Sequence, residues 1–184
     1  MTVVLRVAAT PSQPALLLRP WHEGDLDALV EAHLDPLIRR FTRAGVESRE
    51  DAVRWLEIRR HGWDTGEYLG FAVLEDLGAD GEGALVGNTA LKRPGLSAPA
   101  AEVGYWTSPA ARGRGVAVRA LEAVTGWAFD AFADEGLEQL ELLHQVDNVA
   151  SCRVAQKCGY AYETTLAPHP PFPLEGHLHL RKAR

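Results

Sequence analysis

The segment whose spacing carries most chemistry is Ala111-Arg112-Gly113-Arg114-Gly115-Val116-Ala117, lying between an apolar run that ends at Thr107 and a long apolar-striped stretch. Read as strand, loop and helix, the glycines stand where the first backbone amides of the helix have no intrahelical partner and face the positive end of its dipole. Such amides bind a phosphate oxygen, glycine lets the anion come close, and Arg112 and Arg114 can add charge-assisted hydrogen bonds. A tight strand-to-helix turn would use the same glycines with no ligand, so the pattern alone leaves both readings open. It is not a P-loop, because no lysine of the chain precedes Ser or Thr. Nor is it a good dinucleotide fingerprint: Val118 stands where a third small residue belongs, and Glu141 is not evidently placed for the acidic role.

Other reactive side chains are scattered. His22, His33, His61, His144, His169, His177 and His179 show no metal-ligand spacing supported by cysteines or carboxylates, so no metal is expected, and His177 and His179 would share one face of a strand in a structural role. Cys152 and Cys158 fall in one predicted helix, point in different directions around it and make a poor disulfide pair. Trp21, Trp63 and Trp106 could wall a pocket, though large aromatics more often pack.

The elements that position these residues follow from periodicity. Ala15 to Arg19, closed by Pro20, reads as a first strand. A helix with Asp25 as N-cap carries Leu26, Leu29, Val30 and Leu34 and ends at Pro36; a second starts at the Ser48 and Asp51 capping pair and carries Val53, Trp55, Leu56 and Ile58. Tyr68 to Glu75 and Ala84 to Lys92 form a hairpin across the glycine-rich stretch 78–83, and Ala101 to Thr107 is the strand after the 94–99 loop. A long helix runs from about Gly113 to Ala133 on the stripe Ala117, Leu121, Val124, Ala128 and Phe132. Leu137 to Val146 is a strand, Asn148 caps a last helix whose Ala150, Val154 and Cys158 share a face up to Gly159, and Tyr160 to Leu166 and His177 to Arg181 finish as strands.

Composition bounds the rest. The chain has 184 residues, 46% of them hydrophobic, enough for one domain over 1–184, with residues 1–14 either flexible or an added N-terminal strand. Its formal net charge of -6 gives no general attraction to nucleic acid or an anionic membrane and better suits an amine-bearing substrate. No apolar run approaches the roughly 20 residues of a membrane span, and the first residues lack the blocks of a signal peptide, so a cytoplasmic location is expected.

Several segments together resemble the GNAT superfamily of N-acetyltransferases, in the branch similar to the RimJ/RimL ribosomal-protein N-terminal acetyltransferases. They are Leu17-Leu18-Arg19-Pro20, Ala101-Glu102-Val103-Gly104-Tyr105-Trp106, Arg112 to Ala117, Asn148-Val149-Ala150-Ser151 and Lys157-Cys158-Gly159-Tyr160. The resemblance implies an α/β fold with a mixed, mostly antiparallel sheet, splayed between its fourth and fifth strands and covered by helices on both faces. It implies acetyl-CoA as cosubstrate, with Arg112, Gly113, Arg114, Gly115, Val116 and Ala117 at the pyrophosphate, Val103, Gly104 and Tyr105 lending a backbone amide to the thioester carbonyl, and Asn148 at the pantetheine. Ser151 would reach the sulfur and protonate the thiolate, with Tyr160 as the alternative donor, and Glu102 is the candidate base for the attacking amine.

The run Pro168-His169-Pro170-Pro171-Phe172-Pro173 departs from the arginine- and aspartate-bearing segment that often follows the last helix in this branch, which leaves the acceptor open among peptide N-termini and small amines. A non-catalytic acyl-CoA sensor would need the same loop but no acid or base, and a nicotinamide enzyme is disfavoured by Val118. A homodimer is compatible with all of these readings.

Overall fold

The computed structural model describes residues 3–42, 45–95 and 97–183. Its sheet contains β1 (Leu5–Val7), β2 (Ala15–Pro20), β3 (Tyr68–Asp76), β4 (Glu82–Lys92), β5 (Ala100–Thr107), β6 (Gln139–Gln145), β7 (Ala161–Leu166) and β8 (Gly176–Lys182), in the order β1-β2-β3-β4-β5-β6-β8-β7. The helices are α1 (Leu26–Ala32), α2 (Pro36–Phe41), α3 (Arg49–Thr65), α4 (Val116–Ala131) and α5 (Val149–Lys157). Neighbouring strands are antiparallel except β5 and β6, which run parallel. This is the mixed, mostly antiparallel sheet expected; β1 is the added N-terminal strand, and with it left out of the count the splay falls between the fourth and fifth strands. Pairing of β5 with β6 runs only from Ala100–Gln139 to Val103–Leu142, while β5 continues to Thr107 and β6 to Gln145.

Both faces of the sheet are covered because the central strands are apolar on both. On β3, Leu69, Phe71 and Val73 pack with Val116, Leu121, Val124 and Ala128 of α4, while the alternate residues Ala72 and Leu74 pack with Leu26 and Leu29 of α1 and Trp55 and Leu56 of α3. The period of two along a strand dictates this partition. Removing either set from water contributes on the order of 1.5–3 kcal/mol per large side chain. The approach of α3 to β3 is close: a Cβ on Gly62 would lie 2.6 Å from Cβ of Tyr68, so glycine is required there.

Local chemistry shifts several predicted boundaries. Asp25 does not cap α1; its carboxylate binds the Arg19 guanidinium through two bonds of 2.7 and 2.8 Å and accepts the His22 amide, and His22 caps the short 3-10 turn Glu23–Asp25 instead. Pro36 starts a helix rather than only ending one, since Asp35 caps α2 and proline at the first turn needs no amide partner. Leu34, Val53 and Ile58, assigned to apolar stripes, are exposed; Ala52, Trp55 and Leu56 form the buried face of α3. The long helix α4 begins at Val116 rather than Gly113, because Gly113 and Gly115 have left-handed backbones (φ 74° and 71°) that no helix accommodates. Its buried stripe is Val116, Ala120, Leu121, Val124, Thr125 and Ala128, with Ala117 only half-buried and Phe132 packed against the core just past the helix end.

Candidate functional site

Where β5 and β6 separate, a cleft of about 500 Å³ opens. Glu102, Val103, Gly104, Tyr105 and Trp106 of β5 line one wall, and Leu142 to Gln145 of β6 with Asn148 and Ser151 of α5 line the other. Beyond Val103 the β5 edge has no strand partner on its β6 side, so main-chain polar groups as well as side chains face this gap. The mouth is built from Phe41, Trp55, Arg59 and Tyr68 on one side and from His169, Phe172 and Leu174 of the proline-rich loop on the other. The segment that departs from the family pattern therefore forms part of the cleft wall.

The side chains at the centre are tied together across distant elements. Tyr105 donates its hydroxyl to Oγ of Ser151 at 2.9 Å, bridging β5 to α5, and burial pushes the Tyr105 hydroxyl up to about 12. Because the serine oxygen accepts from Tyr105, its own proton is free to point into the cleft. Asn148 caps α5 by accepting the Ser151 amide at 3.2 Å through Oδ1, which leaves its amino group to donate elsewhere. Glu102 pairs with Lys92, its register partner on β4, and both side chains remain about 40% exposed at the edge of the cleft. Trp21 and Trp63 are packing residues: Trp21 donates to Asn88 and stacks edge-on against Trp55, and Trp63 donates to the Gly70 carbonyl. Trp106 faces the cleft, as does Trp55, whose position within the buried α3 face concealed it from the sequence reading.

Tyr160 is not brought to the cleft. It is 1% exposed, shares a 2.6 Å hydrogen bond with Thr125 of α4, and burial raises its pKa. Tyr105 stands in its place beside Ser151. The signal for this pairing was present only in topology, since 46 positions separate the two residues.

The glycine loop lies at the head of α4, outside the cleft lining. Space is open around Gly113 and Gly115, where an added Cβ would meet nothing within 4 Å, so a ligand can approach their amides. The two arginines of the loop are already partnered: Arg112 binds Asp35 at 2.5 and 3.2 Å and holds that carboxyl below its usual range, and Arg114 binds Glu75 at 2.6 Å.

Arg59 differs from both. Its guanidinium lies 3.9 Å from the Tyr68 ring centroid and 4.8 Å from that of Trp55, its Nε is buried without a hydrogen-bond partner among the described residues, and burial lowers its pKa, a shift that Tyr68 opposes. His144, which lines the cleft, converges with His177 and His179 on Cys152; the sequence shows no metal-ligand spacing supported by cysteines because the group is spread over β6, α5 and β8. Both cysteines are free, as their predicted orientations required. No helix among the described residues is long and apolar enough to cross a membrane.

The sequence profile described as "Acetyltransferase (GNAT) domain" matches residues 15–161. Among solved structures, the chain is similar to the Salmonella typhimurium acetyl transferase described as modifying the N-terminal serine of the 50S ribosomal subunit protein L7/L12 (18% identity, 99% and 100% of the two chains, TM-score 0.80). It is also similar to Mycobacterium smegmatis RimJ solved with CoA-disulfide (23%, 99% and 87%, 0.74) and to a GNAT-family acetyltransferase from Bacillus anthracis (19%, 99% and 98%, 0.77). At these identities the structural matches speak to the fold.

Proposed function

We propose, from the premise that this chain belongs to the GNAT acetyltransferase family, that it transfers an acetyl group from acetyl-CoA to a primary amine in the β5–β6 cleft. The observation that carries the reading is the opening after Val103 and Leu142, which the hydroxyl pair of Tyr105 and Ser151 lines. Two neighbours support the donor: a RimL was solved with CoA, and the microcin C7 immunity acetyltransferase MccE was solved with acetyl-CoA and AMP.

In this reading the amides opening α4 bind the pyrophosphate, and Arg112 and Arg114 exchange their carboxylate partners for it. The pantetheine follows the gap between β5 and β6, where the Asn148 amino group donates to it. An unpaired backbone amide in Val103 to Tyr105 holds the thioester carbonyl and strengthens its hold as negative charge develops on the oxygen. The neutral amine attacks the carbonyl carbon, the C–S bond breaks, and the thiolate takes the Ser151 proton while Tyr105 donates a hydrogen bond to the serine. The surplus proton on the new amide nitrogen returns to Ser151 through water. Glu102, directly or through water, accepts the proton that the acceptor ammonium must lose.

The mouth suggests the acceptor's character. A cation resting on two aromatic rings with a sealed, unpartnered Nε prefers an anionic group nearby, so the acceptor pairs its amine with a carboxylate or phosphate within reach of Arg59. A peptide N-terminus with an acidic side chain meets this requirement. The reading is tested by following thiol release from acetyl-CoA with a panel of peptides and small amines that differ in one anionic group. Release that favours the anionic members is expected. Acetyl-CoA binding without release on any acceptor would instead make the chain a sensor.

A further inference from the structure

The group of His144, Cys152, His177 and His179 lies outside the acetyl-transfer chemistry, and its geometry has a separate meaning. His144 and His177 are direct register partners on β6 and β8, so their side chains share a face; His179, two residues along β8, shares it as well. Helix α5 lies between β6 and β7 in the chain and brings Cys152 to the same place. One ligand atom from each residue falls within 4.8 Å of the other three.

Three of the six ligand-atom distances within the group are close to those of a coordination shell, and all six are within 4.8 Å. Nε2 of His144 and Nε2 of His179 are 3.3 Å apart, Sγ of Cys152 is 3.4 Å from Nδ1 of His177, and Sγ is 3.9 Å from Nε2 of His179. A tetrahedral zinc with bonds of about 2.0–2.1 Å to nitrogen and about 2.3 Å to sulfur spaces two nitrogens roughly 3.3–3.4 Å apart and nitrogen and sulfur roughly 3.6 Å apart. The three edges agree with that figure to within about 0.4 Å.

Proton placement points the same way. The Nδ1 atom of His144 lies 2.8 Å from the Gln145 carbonyl, which can only accept, so Nδ1 carries the hydrogen and Nε2 presents a lone pair. This is the arrangement in which a metal-bound histidine is held by a backbone carbonyl. His179 is 1% exposed, and its Nδ1 is buried without a hydrogen-bond partner among the described residues. With its hydrogen on Nδ1, two Nε2 lone pairs would oppose each other at 3.3 Å. With the hydrogen on Nε2, a buried Nδ1 acceptor would be left unpaired. A cation between the rings resolves both problems.

We propose that His144, Cys152, His177 and His179 bind one zinc-class divalent cation, which ties α5 to the β6–β8 pair at the edge of the cleft that His144 lines. Three neutral imidazoles and one thiolate complete a closed tetrahedral set, the thiol proton passing to solvent on binding. The same helix carries Asn148 and Ser151, so the cation would fix the wall on which they stand.

The test is made on the full chain, purified from zinc-supplemented growth, desalted and analysed for metal, then stripped and titrated with Co²⁺. About one zinc per chain is expected, with cobalt giving tetrahedral visible bands and a sulfur-to-cobalt charge-transfer band. In Cys152→Ser the charge-transfer band disappears and affinity falls by more than the roughly 10–100-fold typical of losing an outer-shell partner. His177→Asn, at a half-buried position, loses affinity to a similar degree and decides the matter if the serine variant does not fold. No cobalt spectrum, or one unchanged in either folded variant, would overturn the site.

Discussion

The glycine loop at the head of α4 and the hydroxyl, imidazole and thiol groups around the cleft face different problems. The loop draws on consecutive residues and, in the proposed reading, would act through main-chain amides whose direction is set by two positive φ angles. The cleft is lined by side chains from β5, β6 and α5 around the point where the β5–β6 pairing stops at Val103, and the imidazoles beside it are brought together by β6–β8 register. Backbone chemistry can be read from a short string, whereas side-chain chemistry assembled by topology cannot. The two regions also differ in electrostatics, since the loop arginines are held by Asp35 and Glu75 while Arg59 at the cleft mouth rests on the rings of Tyr68 and Trp55.

This contrast can be broken most forcefully at Gly115. A leucine there would fill the open space before the helix amides and strain a left-handed backbone, so acetyl-CoA binding should vanish in calorimetry while chemical denaturation shows a loss of about 1–2 kcal/mol. Binding retained by Gly115→Leu would mean that the loop is only a turn.

A smaller but still large effect is expected in the cleft. Tyr105→Phe should lower kcat by roughly 10²-fold, the low end of general acid contributions, with acetyl-CoA affinity nearly unchanged. Ser151→Ala should behave alike, and the double variant should cost little more than either single one, because the two hydroxyls act in series. Additive losses would separate them. Since burial raises the Tyr105 hydroxyl above its ordinary value near 10, the phenol remains protonated throughout the neutral range, and its ionisation should not limit activity below that value.

The mouth should respond less strongly. Arg59→Gln is expected to raise KM for an anionic acceptor about tenfold, the worth of one hydrogen bond to a charged group, and to leave a neutral acceptor unaffected. Equal effects on both would assign Arg59 to packing against Trp55 and Tyr68. The smallest change belongs to the loop again. Asp35→Asn keeps the cap on α2 but releases Arg112, so acetyl-CoA affinity should rise by no more than a few fold and that gain should shrink with salt.

How far the sequence could be read follows the same division. The hairpin of β3 and β4, the apolar stripe of α4, the Ser48 cap and the Asn148 cap are local patterns, and each is found. The string misleads where tertiary context decides: Asp25 has the pattern of a cap but serves Arg19, and Leu34 fits the apolar helical spacing but lies exposed beyond the end of its helix. Tyr160 and Tyr105 look equally suitable in the string; only the fold seats one against Thr125 and the other against Ser151. The histidine–cysteine group was invisible for the same reason, because cross-strand register between β6 and β8 brings it together.

The most direct test of the central claim is calorimetric titration of the protein with acetyl-CoA, beside the same titration with a pantetheine thioester that lacks the pyrophosphate. Saturable binding of acetyl-CoA that weakens sharply without the pyrophosphate is the predicted result. Equal binding of both, or binding of neither, would contradict the assignment of the α4 loop and with it the acetyl-CoA site.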